Sequence, residues 1–263
     1  MNFSNNSIRW LRTSWRGALA GVLVFAAMPN LHAQDMQKIL PGSGAFTKLE
    51  FSDYEARYNS SSSKTGEFTL QVRRSGDGKK LAMIDIIPME NTIIVAQRQI
   101  DLVSQRVEFS AGPYFAWGPE FIVSTSDAST YSWTRVPQGG GEPIRLAGDI
   151  DNNGYVSEMF SPLLASLMPM KVGAVFELPS SYARQGDYVS SEMDRYEVLS
   201  REEMRTPSGL SCTCWLVEKT PWAGSVERIW VDVKPPFVFK RHRDVNGPRS
   251  FVSELTAYRV LEK

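Results

Sequence analysis

The stretch best suited to holding a cation is Asp149-Ile-Asp-Asn-Asn-Gly154, which runs on through Ser157 to Glu158. Acids at the first and third positions, an amide at the fifth and a glycine at the sixth match the start of a twelve-residue calcium loop. In such a loop alternate oxygen side chains wrap a hard cation. The twelfth position, which must supply a bidentate carboxylate, is Phe160, and the nearest acid, Glu158, comes two residues early. Asp149, Asp151, Asn153 and Glu158 are therefore the candidate calcium ligands, and no other cofactor is indicated. The same Asp-Asn-Asn-Gly run is a tight turn in its own right, because Asn and Gly tolerate positive φ. That reading stands beside the calcium one.

Cys212 and Cys214 are the only cysteines. On a strand, residues i and i+2 share a face, so the two form a candidate redox pair or a soft-metal pair. Their Cα atoms would sit at the far limit for a disulfide, and two small buried hydrophobes is the third reading. No further cysteine completes a zinc site. Of the two histidines, His32 lies in the N-terminal segment and His242 stands alone in the rest of the chain. A His-rich metal site is thereby excluded, and a Ser or Cys nucleophile would have to use this one imidazole. No nucleophile elbow, Walker loop or dinucleotide glycine motif occurs. A hydrolase of envelope glycans working through paired carboxylates stays open.

Lys240-Arg-His-Arg243 follows Phe237-Val-Phe239 directly. Strict alternation puts Phe237, Phe239, Arg241 and Arg243 on one face, an apolar groove ending in an anion clamp for a fatty-acid or phospholipid head. A strand leaving the core for a solvated turn would carry the same basic run.

The elements that must position these residues begin after a processing segment. Arg9, Arg12 and Arg16 precede an apolar run over residues 17–28, and Leu31-His-Ala33 offers a cleavage site. This is the order of a secretory signal peptide over residues 1–33, and its apolar run is too short to span a bilayer. No cysteine follows for a lipid anchor, and the arginines are not paired as a twin-arginine signal requires. Removing the segment takes away three of 29 Lys+Arg and none of 29 Asp+Glu, leaving a net charge of −3. That balance gives no reason to expect nucleic-acid binding.

Residues 34–44 read as a flexible leader, and strands begin at Phe46. Phe68, Leu70 and Val72 alternate with Glu67, Thr69, Gln71 and Arg73 as in a half-buried antiparallel strand. Pro88 stops the strand that opens at Leu81. Residues 112–119 form a loop whose aromatics plug a barrel end or rim a ligand mouth. Residues 137–143, rich in Gly and Pro, join two strand-rich halves. Ser161 is expected as an N-cap with Pro162 at the first helical position, and Leu163, Leu164, Leu167 and Met168 give helical spacing until Pro169. Residues 195–261 hold five short runs rich in Val, Trp, Tyr and Phe between Pro/Gly turns, the spacing of an up-and-down meander. The fold class expected is all-β and mainly antiparallel. Residues 45–263 would form one curved sheet, a half-barrel or barrel of about a dozen strands, with one short helix.

The last third carries a resemblance. Tyr196-Glu-Val-Leu-Ser-Arg-Glu202, Thr206-Pro-Ser-Gly209, Cys214-Trp-Leu-Val217, Ile229-Trp-Val-Asp232 and Pro235-Pro-Phe-Val-Phe-Lys240 together resemble the exported bacterial family called domain of unknown function 3108. The likeness is best over residues 160–243. It implies a periplasmic protein with a curved antiparallel sheet, loosely similar to the half-barrel carriers of lipoproteins, and it brings no catalytic residues. The reading that follows is a soluble, non-enzymatic protein of the cell envelope. Its sheet would bind a lipid-like apolar ligand or an envelope protein partner. Trp133, Trp215, Trp230, Phe237 and Phe239, with Phe68 and Leu70, would line the concavity, and Arg241 and Arg243 would close it. An assembly module with all its aromatics in the core is the rival.

Overall fold

Sixteen strands and one α-helix follow one another among the described residues of the computed structural model. It describes residues 36–40, 43, 45–47, 52–61, 66–89, 92–104, 106–114, 120–126, 130–137, 141–149, 155–184, 187–221, 225–245 and 252–262. Strand β1 (Met36–Lys38) and a 3-10 turn (Ala45–Thr47) precede β2 (Tyr54–Ser60), β3 (Glu67–Arg74), β4 (Lys80–Met89) and β5 (Thr92–Asp101). The first half continues through β6 (Arg106–Tyr114), β7 (Glu120–Ser126), β8 (Thr130–Pro137) and β9 (Ile144–Asp149). A two-residue β10 (Tyr155–Val156) leads into α1 (Ser157–Ser166). Then come β11 (Val175–Arg184), β12 (Asp187–Arg205), β13 (Ser211–Thr220), β14 (Glu227–Asp232), β15 (Phe239–Asp244) and β16 (Val252–Val260).

All belong to one sheet in the order β1-β11-β12-β13-β14-β15-β16-β2-β3-β4-β5-β6-β7-β8-β9, with β10 also on β11. Two antiparallel meanders are thus joined in mid-sheet, where β16 pairs with β2. Only β1 and β10 run parallel to their neighbour. Among the described residues no pairing joins β9 to β1, so the curved sheet is open and not a barrel. No helix among them is long and apolar enough to cross a membrane.

Alternation decides which face is covered. In β2 Tyr54, Ala56 and Tyr58 are buried while Glu55 and Arg57 point the other way, and β14 repeats the pattern with Ile229 and Val231. Leu163, Leu164, Ala165, Leu167 and Met168, from α1 and the turn after it, complete the same core. This defines an inner face under α1 and an outer face opposite. At the seam between the meanders Tyr58 stacks on Phe239 at 4.2 Å and on Phe68 at 4.9 Å, and its hydroxyl donates to the Phe239 carbonyl at 3.1 Å.

The five runs of the last third are β12 to β16. Several other expectations change. The leader is not wholly flexible: it supplies β1, whose backbone pairs with β11, and Ile39 beside it is fully buried. Phe46 lies in the 3-10 turn and not in a strand, and the strand described after it, β2, starts at Tyr54. Pro88 stays inside β4 opposite Ile93, at the hairpin end. Gly112 belongs to β6 and not to a loop. A Cβ there would meet the Ala96 Cβ at 2.7 Å, so only glycine lets the strands approach this closely. Residues 137–143 are no linker between halves, because β8 and β9 on either side pair as a hairpin. The helix begins at Ser157, so Ser161 is not its cap, and Pro162 lies inside it. Pro162 removes one helical hydrogen bond, and packing on the sheet compensates.

Ile39→Ala should therefore destabilise the folded chain by about 2–4 kcal/mol in urea unfolding. An unchanged midpoint would show that β1 adds nothing to the core.

Candidate functional site

Register brings a row of polar side chains to the inner face at one level. Tyr196 of β12 pairs with Lys219 of β13, Lys219 with Glu227 of β14, and Glu227 with Asp244 of β15. Each occupies the phase that its strand otherwise fills with apolar residues, as Val198, Val217 and Ile229 do. Lys219 and Ser161 are fully buried, and Asp194, Glu227, His242 and Asp244 nearly so.

The cluster centres on the Lys219 ammonium. Its Nζ lies 3.0 Å from Ser161 Oγ, 3.0 Å from Glu227 Oε1 and 3.3 Å from Asp194 Oδ2. Two of its donors thus hydrogen-bond to Ser161 and Glu227, and Asp194 adds an ion pair. The other Glu227 oxygen is 2.6 Å from His242 Nε2. Burial alone would raise the Glu227 pKa, but the His242 hydrogen bond and the Lys219 charge outweigh it and hold the carboxyl at about 2. Burial pushes the Tyr196 hydroxyl, beside Lys219, well up.

Serine, lysine, histidine and two carboxylates are the residue types of nucleophilic catalysis. Here the serine and lysine have no solvent exposure. What the arrangement does is join α1, through Ser161, to β12, β13, β14 and β15. Sequence reasoning singled out His242 and Ser161 but missed Lys219, Asp194 and Glu227. Their signal was present as charges standing in the inward phase of apolar strands.

The expected ligand residues do not share a face. Phe239 is buried opposite Val231, whereas Arg241 pairs with Trp230. The register shifts by one residue between them, so the extra residue, Lys240, breaks the alternation and separates Phe239 from Arg241. Trp230 and Arg241 stack on the outer face at 5.4 Å. Arg241 Nε donates to Glu254 at 2.7 Å and Trp230 Nε1 to Glu202 at 3.1 Å. Arg243 is exposed opposite Arg228, and His242 turns inward to Glu227, so the basic run forms no single clamp. Trp215 and Phe237 are half-buried against the core; Phe68 joins them there, and Leu70 is within it. Trp133 pairs through its backbone with Ser124 and Leu146, and its side chain lies outside those described. Of the calcium candidates, Asp149 ends β9 and Glu158 is the second residue of α1, while Asp151 and Asn153 fall outside the described residues. The Cys212 and Cys214 sulfurs lie 3.4 Å apart.

The outer face differs between the two meanders. Across β13 to β16 it carries charge pairs, such as Arg228 Nε on Glu218 at 3.0 Å. Across β4 and β5 it carries the neighbours Ile86 and Val95, and Pro88 and Ile93. Ile93 is 65 % exposed and Val95 49 %. Gln97 pairs with Ala111, so alternation puts the register positions of Pro113, Phe121 and Val136 on the same face. Beyond them lies β9, whose second edge is unpaired among the described residues. A groove of about 480 Å³ lies at the β2–β3 turn, lined by Asn59, Ser61, Glu67 and Glu254 among others.

Fold and site define an open, antiparallel all-β protein with a sealed ionic centre. Compared with known proteins, the chain matches no family model and no curated protein.

Two outcomes test the cluster. Lys219→Met removes the charge that Asp194 and Glu227 share, leaves Asp194 without that partner and should cost about 3–5 kcal/mol. A change under 1 kcal/mol would refute the latch. For pH, the folded Glu227 value of about 2 lies below a carboxyl's ordinary 4.5. Its contribution, roughly 3 kcal/mol, is then complete above pH 4.5 and lost as the pH falls through 2. Glu227→Gln should flatten the acid limb of the stability profile across that window. An identical limb in both proteins would contradict the assignment.

Proposed function

We propose that the chain is an exported protein of the bacterial cell envelope that works by binding and not by catalysis. Its partner is another envelope protein, held along the outer face of β4 to β8 and the open edge of β9. The observation that carries this reading is the set of exposed apolar residues Ile93, Val95 and Val136 on strands leading to β9, whose second edge is unpaired among the described residues. Exposed apolar patches on a folded chain mark interaction sites. An open edge accepts an extended segment of a partner through main-chain hydrogen bonds, while neighbouring apolar residues supply selectivity. The secretory pattern of residues 1–33 and the family resemblance support export to the periplasm.

The lipid-like ligand is the weaker reading, because Leu70 and Phe239, two of its expected contacts, are buried within the core that α1 covers. Catalysis is disfavoured by the burial of Ser161 and Lys219.

Photo-crosslinking in intact cells separates the alternatives. A crosslinker at Val95 or Val136 should yield one discrete protein adduct, and one at the exposed Leu210 in the β12–β13 turn should yield none. The adduct should disappear with Ile93→Asp. Uptake of a fluorescent fatty acid by delipidated protein, with no adduct from either position, would overturn the partner reading in favour of the carrier.

A further inference from the structure

Cys212 and Cys214 stand in β13 as unbridged thiols with their sulfurs 3.4 Å apart. Across the ladder Cys212 pairs with Met204 of β12. Directly paired residues of antiparallel strands share a face, with Cβ atoms about 4.5–5.5 Å apart. One thioether therefore stands on the same face as two thiols, within reach of a common point. The nearby oxygen donors are already committed. Glu202, opposite Cys214, accepts from Trp230 Nε1 at 3.1 Å and from Ser200 Oγ at 2.9 Å. Asp232, also opposite Cys214, accepts from Lys240 Nζ at 3.0 Å and from the Lys234 amide at 3.0 Å.

From this placement we infer a binding site for a soft monovalent metal ion, copper(I) or its analogue silver(I), with Cys212 and Cys214 as thiolate ligands and Met204 as the third donor. Thiolate and thioether sulfur select such ions, whereas the harder divalent cations favour the oxygen donors that are occupied here. Binding balances as two thiols and one monovalent cation giving a bis-thiolate complex of charge −1 and two protons released to solvent. Cys214 is buried and Cys212 half-buried, so the ion enters past Cys212. A disulfide would suit the pair less well. Residues i and i+2 of a strand stand about 6.6 Å apart, close to the widest Cα spacing a disulfide bridges, about 6.8 Å. The site lies outside the ionic centre and is independent of the partner reading.

The test is anaerobic titration of the reduced mature chain with copper(I) in competition with a chromophoric copper(I) chelator. The expected result is one equivalent bound, with a near-ultraviolet sulfur-to-copper charge-transfer band and release of two protons. Cys212→Ser or Cys214→Ser should weaken binding by about 100-fold and Met204→Leu by about tenfold, while Met36→Leu changes nothing. If Cys214→Ser does not fold, as judged by its melting curve, alkylating Cys212 in the native chain removes the same ligand and should abolish the band. Failure to compete with the chelator, or binding that survives loss of either thiol, would overturn the assignment.

Discussion

A lysine ammonium with no access to water is the constraint that the rest of this structure must meet. Lys219 is tolerable there because Asp194 and Glu227 neutralise it and Ser161 and Glu227 accept its hydrogen bonds. These partners come from β12, β14 and α1, and the second oxygen of Glu227 extends the network to His242 of β15. The charge is satisfied only when four strands are in register and the helix is seated. A one-residue slip in any of these strands would turn its polar group to the outer face and strand the others.

The same constraint decides what the inner face is for. α1 is ten residues long and carries Pro162 inside it, so it has little stability of its own. It stays because Ser161 is tied to Lys219 and because Leu163, Leu164 and Leu167 enter the core. With the helix seated, the concavity that a half-barrel would offer to an acyl chain is filled by the protein's own side chains. On the proposed reading, contacts with other molecules then fall outward, to the apolar row over β4 and β5, to the edge at β9 and to the sulfur cluster of β12 and β13. The sealed centre and the outward-facing surfaces are two results of one packing arrangement.

Much of this was legible in the residues. The five runs of the last third became strands β12 to β16 because Val, Trp, Tyr and Phe between Pro/Gly turns leave few alternatives. The inward charges were legible too: Lys219 shares a phase with Val217, and Glu227 shares one with Ile229 and Val231. What defeated local reasoning was information held by other parts of the chain. Met36-Gln-Lys38 has no strand pattern of its own and becomes β1 only by pairing with β11. Residues 137–143 have the Gly/Pro content of a linker and of a hairpin alike, and only the pairing of β8 with β9 distinguishes them. The extra residue at Lys240 leaves no mark in the sequence, yet it separates Phe239 from Arg241 and dissolves the expected ligand groove.

The most direct measurement is native-state hydrogen exchange on the mature chain, followed peptide by peptide. The latch account predicts that amides at the C-terminal end of α1 exchange only with global unfolding, at the same free energy as those of β13 and β14. Lys219→Met would lower that free energy for all three together. Helix amides that exchange rapidly while β13 and β14 remain protected would show α1 to be a lid over an accessible inner face. That outcome would contradict the account and return the ligand site to the concavity.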